Sequence, residues 1–277
     1  MARAFSAALH NELSKYARQK FPYLGMLAVI LLAVFWVRGY HLMSRGEDTS
    51  AFTVVIQGTI AAVTSIIPIF AALFASVLVA SETAGGTYRN VLSRPISRVE
   101  FLTAKVVFAF GYALLLILLH IAAISIAAAT RYSFGPVVDE GEVIVSTGRL
   151  IAVFHAAIGL TLIPLLAIVS YGIMVSTLAK SLANALGIGV GVLIAIEPIK
   201  HLVRWGDWRL SDYVMTSYLD TPLAVAKSAS MGFEHEWWTG SFWTSDIGWG
   251  IMLSLGAMGL FLFISYFTFL RRDLNFS

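Results

Sequence analysis

Six apolar stretches, residues 21–37, 52–80, 106–130, 150–178, 183–199 and 247–270, leave this chain little freedom to fold as a water-soluble domain. Each approaches or exceeds the roughly 20 helical residues that cross a bilayer core, and among them only Glu197 is an Asp, Glu, Lys or Arg. Lipid offers nothing to hydrogen-bond, so a spanning segment must satisfy its backbone internally, and runs of this length do so as helices. The expected fold is all-α and integral to the membrane, with six transmembrane helices forming one domain over residues 1–277. The second and fourth runs are longer than a bilayer requires and carry central prolines, Pro68 and Pro164. They are expected to tilt, kink or project into the cytosol.

Six crossings put both ends on one side. With both ends inside, the inner segments hold eleven Lys or Arg against four carboxylates, Glu12, Glu82, Glu100 and Asp273. The outer segments hold eight against twelve, so the positive-inside rule favours this orientation and a multi-pass place in the cytoplasmic membrane. The basic residues are spread over loop ends rather than massed on one face, which argues against nucleic acid as a partner. Ahead of the first run, Phe5, Ala8, Leu9, Leu13 and Tyr16 recur at helical spacing, while Asn11, Glu12, Lys15 and Arg18 fall elsewhere. The pattern predicts an amphipathic helix on the inner leaflet, serving as an anchor or as a transmitter of motion. No small-x-small site follows the first run, so this end is expected to persist in the mature protein.

On the outer side only residues 200–246 form a long connection, and it holds five of the seven tryptophans, a composition suited to a membrane interface. Asp220, Thr221 and Pro222 predict the N-cap and first turn of a short helix ending near Met231. In the fifth run, Gly187 and Gly191 have the spacing of close helix packing.

Catalytic signatures are missing. There is no GxSxG elbow, His235-Glu236 lacks the second histidine of HExxH, and no glycine precedes a lysine, which excludes a Walker A loop. With no cysteine and six widely spaced histidines, neither a metal site nor a bound cofactor is expected. Asp139, Glu140 and Glu142 form an acidic group in a short outer loop and read as a solvated face. Glu197 and Arg38 lie near outer span ends, where snorkelling to the interface accounts for them. His120 and His155 are deeper and are the candidates for lining a pathway, a neutral packing role being the other reading.

The polar interruption between the second and third runs, residues 81–105, is the one segment suited to meet a cytosolic partner. Ser97 and Glu100 have capping-box spacing, so the third membrane helix is expected to start at Ser97 and pass Lys105 into the bilayer. Gly85 and Gly86 precede a stretch, residues 87–92, long enough for a short helix, and Ser93 and Pro95 mark a turn after it. Tyr88 and Arg89 would then protrude from the membrane surface, flanked by Asn90 and Arg94. An ordinary headgroup-contacting loop is the plainer alternative.

The ordered series Glu82, Gly86-Thr87, Leu92-Ser93, Pro95, Ser97-Arg98 and Lys105 resembles the first cytoplasmic loop of ABC-2 type transporter permeases. The N-terminal Glu12 and Arg18, the six-span layout and the closing Arg271-Arg272-Asp273-Leu274 extend the likeness. In overall form the chain is similar to the permeases associated with multicopper-enzyme maturation and to bacitracin-type exporters. The resemblance implies a permease subunit, paired with a second copy, that couples to a separate ATPase through this loop. Its coupling residues would be Glu82, Gly86, Thr87, Tyr88, Arg89, Leu92, Arg94 and Arg98, with residues 87–92 as the coupling helix and Glu82 and Arg98 supporting its ends. ATP and magnesium would belong to the partner ATPase, and export is the implied direction. Two other classes remain open: an ion-gradient-driven carrier using His120 or His155, and a non-transporting membrane scaffold for enzyme maturation.

Overall fold

The computed structural model describes residues 2–43, 49–84, 97–139, 142–232 and 246–271. Helix α1 (Ala2–Ala17) precedes α2 (Phe21–Met43), α3 (Ala51–Thr64), α4 (Ile66–Ala84), α5 (Arg98–Ala129), α6 (Thr147–Leu178), α7 (Leu182–Leu202), the short α8 (Thr221–Ser230) and α9 (Asp246–Arg271). Six of these segments are long and apolar enough to cross a membrane, α3 and α4 together making the second crossing. The protein is an all-α, multi-pass membrane protein. At 1.5 Å per residue, α5 and α6 each extend about 48 Å, well beyond a roughly 30 Å hydrocarbon core, so both project from it.

α4 and α6 form the centre. α6 packs on α4 and α9, α4 also meets α7 and α5, and α2 lies along α5. Phe74, Leu78, Leu116, Leu165 and Ile168 are fully buried between them. α7 and α9 present apolar faces outward, with Ile188, Ile194 and Phe263 at least half exposed. Such a surface suits lipid or another apolar protein face and would be untenable in water.

The two central prolines act differently. Pro68 lies in the first turn of α4, where its missing N–H disrupts little. Its ring would clash with the carbonyl four residues back, that of Thr64, and Thr64 is where α3 ends. At the break the Ser65 N–H reaches back to the Ala62 carbonyl at 3.4 Å, and the Thr64 hydroxyl donates to the Ile60 carbonyl at 2.9 Å. The second span is therefore broken within the membrane, whereas α6 runs through Pro164 without interruption.

The packing expected of Gly187 and Gly191 is corrected. A Cβ at either would meet nothing within 4 Å, while one at Gly189 would collide with Ser76 of α4. Within this chain, Gly189 makes the close approach. The acidic outer loop forms a small hairpin, β1 (Val137–Asp139) against β2 (Glu142–Val145), with Glu142 exposed. A second hairpin, β3 (Arg204–Trp205) against β4 (Trp208–Arg209), turns at Gly206 with φ +60°. The helix expected near 222–231 is α8. Asp220 occupies its N-cap position, but its side chain makes no capping hydrogen bond, another correction.

A buried ionic cluster at the inner end of the bundle

Residues 85–96 connect α4 to α5, and α1 packs across α5 beside the two ends they join. Ser97 caps α5 with the full reciprocal pattern: its hydroxyl accepts from the Glu100 N–H at 3.1 Å and its N–H donates to the Glu100 carboxylate at 3.0 Å. Two turns on, Lys105 is directed into the protein and is 0% exposed. Its Nζ donates to Oε1 of Glu12 and to Oε1 of Glu82, each at 2.9 Å. The Lys15 ammonium reaches the same Glu82 oxygen at 2.7 Å. Among the described residues, two cations thus face two carboxylates on three helices.

The enclosure is apolar. Lys105 lies 4.8 Å from the centroid of the Phe101 ring. Tyr16 of α1 wedges between Phe74 of α4 and Phe108 of α5, with ring centroids at 5.1 and 5.5 Å. Burial pushes its phenol up to about 12. Among the described residues of α1 the buried ones are Ala8, Glu12 and Tyr16, spaced four apart on one face, while Leu13 is 57% exposed. Glu12, expected on the polar side of that helix, instead lies inside because Lys105 waits there for a counter-ion. Its other oxygen, Oε2, is buried without a hydrogen-bond partner among the described residues.

The start of α5 is also tied to the end of α9. Arg98 Nη1 donates to the Leu270 carbonyl at 3.1 Å, Thr103 and Tyr266 share a hydrogen bond of 2.7 Å, and Phe101 stacks on Phe269 at 5.6 Å. Four helices, α1, α4, α5 and α9, are joined by polar contacts around one loop. These contacts tie the residues on either side of 85–96 to all four helices.

Of the residues singled out from sequence, Glu82 and Arg98 belong to this site. Glu82 is folded inward to Lys15 and Lys105, and Arg98 points to α9. Gly86, Thr87, Tyr88, Arg89, Leu92 and Arg94 lie outside the described residues. Glu12, Lys15, Tyr16 and Lys105 were not picked as site residues. A signal existed: a lysine deep in an apolar helix demands a carboxylate, and the inner side has only four.

The two histidines are separate. His120 is buried on α5, its ring nitrogens 3.1 Å from the Val29 carbonyl of α2 and 3.2 Å from the Gly58 carbonyl of α3. His155 is exposed on α6 and bonds to the Ile151 carbonyl one turn earlier at 2.7 Å. At the outer side Glu197 pairs with the buried Lys200 at 2.7 Å, and Lys200 also donates to Thr216 at 3.2 Å. No group of three or more metal-ligating side chains occurs among the described residues.

Comparison with known families gives one match for most of the chain: residues 28–275 fit the family model DUF2705, described as a protein of unknown function. None of the curated proteins matches the chain.

Proposed function

The chain belongs to the DUF2705 family, and we propose that it is the membrane-spanning permease of an ATP-driven ABC-2 type exporter in the cytoplasmic membrane. It works as a pair of copies and docks a separate ATPase on residues 85–96. The observation that carries this reading is the buried ion cluster on which both ends of that loop rest. A push on a loop anchored in lipid headgroups would dissipate there. A push on this one meets α5, held by two ion pairs to α1 and α4 and by Arg98 and Thr103 to α9. Closure of an ATPase dimer beneath the loop would therefore move four helices together, including half of the broken second span.

ATP and magnesium act on the partner, since the sequence has no Walker A loop of its own. The test is co-expression with candidate soluble ABC ATPases from the same source, followed by purification. Wild-type chain is expected to retain the ATPase and to raise its turnover. Tyr88→Asp with Arg89→Glu is expected to abolish both effects while leaving the chain's own thermal stability unchanged. Retention by that variant, or transport by the purified chain alone in liposomes under a pH gradient, would overturn the proposal in favour of another docking surface or a secondary carrier.

A further inference from the structure

On the membrane side opposite the ion cluster, the hairpin β3–β4 is open on both faces, every residue from Arg204 to Arg209 being exposed. Its register sets Trp205 opposite Trp208 and Arg204 opposite Arg209. Residues paired across two strands share a face, and neighbours along a strand alternate, so one face carries two guanidinium groups and the other two indoles. Beyond the arginines, the Leu210 N–H donates to the Val203 carbonyl at 3.1 Å. Bonded and unbonded pairs alternate along an antiparallel ladder, which makes Arg204 and Arg209 an unbonded pair, with Cα atoms about 4.5 Å apart. Like charges so placed work against the hairpin. Arg204 donates its Nε–H to the Gly206 carbonyl at 3.3 Å, but neither arginine forms an ion pair among the described residues, and Asp207, the hairpin's one carboxylate, is paired with neither. On the other face Trp205 is 86% exposed. An isolated two-stranded hairpin is marginal in water even without such a charge pair.

Its position in the fold says what meets it. The crossing helix α7 ends at Leu202, two residues before the hairpin and 80% exposed itself. From the second strand, Trp208 stacks on Tyr213 at 5.5 Å, and Tyr213 meets Trp249, in the first turn of the crossing helix α9, edge-on at 6.1 Å. The Trp249 indole N–H donates to the Asp212 carbonyl at 2.8 Å. The hairpin is thereby held at the level where two crossing helices leave the hydrocarbon, and the exposed apolar surface of α7 continues through Ile199 and Leu202 to Trp205. At that depth a bilayer presents the boundary region in which indoles accumulate, beside a layer of phosphates. The guanidinium fork is the side chain best matched to a phosphate.

We propose that β3–β4 is a phospholipid-binding hairpin: Arg204 and Arg209 together hold the phosphate of an anionic headgroup, and Trp205 rests in the membrane interface beside it. The bound phosphate compensates the charge pair, and the interface covers the indole. An anionic lipid suits the pair better than a zwitterionic one, whose own cation would meet two guanidinium groups.

Two measurements on the full-length chain test this. Native mass spectrometry from a neutral detergent counts the phosphatidylglycerol molecules retained, with diacylglycerol as the phosphate-free control. Arg204→Gln with Arg209→Gln, both exposed and free of packing contacts to disturb, is expected to lose one retained phosphatidylglycerol per chain, its affinity falling about twentyfold or more, about fivefold for each arginine. Arg131→Gln removes an equal exposed charge from the same side of the membrane and is expected to keep that lipid. Because the chain has no cysteine, Trp205→Cys gives a single site for a nitroxide label. In phosphatidylglycerol nanodiscs its spin relaxation is expected to respond more to oxygen, which concentrates in the bilayer, than to a water-soluble nickel chelate. The proposal fails if the double variant retains as much phosphatidylglycerol as wild type, if diacylglycerol is retained equally, or if Arg131→Gln is equally impaired. It fails too if the label is reached more readily by the nickel chelate, since the hairpin then stands in water, as a surface for a soluble protein would.

Discussion

Replacing Lys105 with methionine removes the cation while keeping most of the side-chain volume. Glu82 retains Lys15, but Glu12 pairs with no cation other than Lys105 among the described residues. A carboxylate is then left buried and uncompensated, a change that costs about 3–5 kcal/mol. The loss falls on the contact holding α1 to α5, so the expected result is local release of α1, not collapse of the six spans. Converted at 1.36 kcal/mol per power of ten, it accelerates amide exchange through α1 by about 150- to 5,000-fold. Hydrogen exchange read by mass spectrometry in nanodiscs measures this, with α6 as the internal reference. Adding Glu12→Gln restores a neutral cluster, the Glu82–Lys15 pair, so the double variant is expected to protect α1 better than Lys105→Met alone. Exchange within about fivefold of wild type for the single variant, or a double variant worse than either single, would refute the electrostatic account.

Two further outcomes follow from the packing and from the outer face. Gly172→Ala sets a Cβ 2.8 Å from the backbone oxygen of Ala72, a group that cannot rotate away. It is expected to destabilise the bundle by about 1–3 kcal/mol, while Gly187→Ala and Gly191→Ala, facing open space, lower the thermal midpoint of the detergent-solubilised protomer little or not at all. Burial holds the Asp220 carboxyl above the ordinary aspartate range, with Lys200 offsetting part of the effect and Glu197 adding to it. Ionising it is penalised only in the folded state, so the penalty is absent in acid, grows as pH rises past the ordinary aspartate range, and is complete above the folded-state value. Asp220→Asn is therefore expected to raise the thermal midpoint at neutral pH and to give no gain in acid; the reverse order would show that the carboxylate is stabilising.

The spans were legible because lipid makes the signal long and one-sided: twenty apolar residues leave no alternative to a helix. The start of α5 was equally legible, since Ser97 and Glu100 must sit three apart to cap each other. What could not be read locally was tertiary. Glu12 looked polar beside Leu13 because periodicity sees only apolarity, and a charge drawn inward by a partner 93 residues away registers as surface. Pro68 announced a disturbance but not its place, which falls at Thr64 because the clash is with the preceding turn. The choice of Gly189 over Gly187 and Gly191 depended on where Ser76 of α4 arrives. Both hairpins were missed because strands of two to four residues carry too little alternation to detect.

The ion cluster is a poor device for stability alone. A buried pair commonly gains no more than well-packed apolar residues of the same size would, and three helices meeting beside phenylalanines could have been closed with leucine. Specificity is the better explanation for charge at this place. An amphipathic helix on a membrane surface can slide and rotate at little cost, since any apolar stripe will do, but Glu12 satisfies Lys105 in one register only. The same reasoning applies to force. Apolar contacts yield gradually as surfaces slip, whereas a buried ion pair resists until it breaks, so on the proposed function small displacements of the loop would reach α1 and α4 undiminished. If that is why the charges are there, substituting Glu12, Glu82 and Lys105 together with apolar residues should leave thermal stability near wild type while uncoupling the motion of α1 from that of α5. An all-ionic cluster kept for stability would show the opposite, a large loss of thermal midpoint with coupling intact.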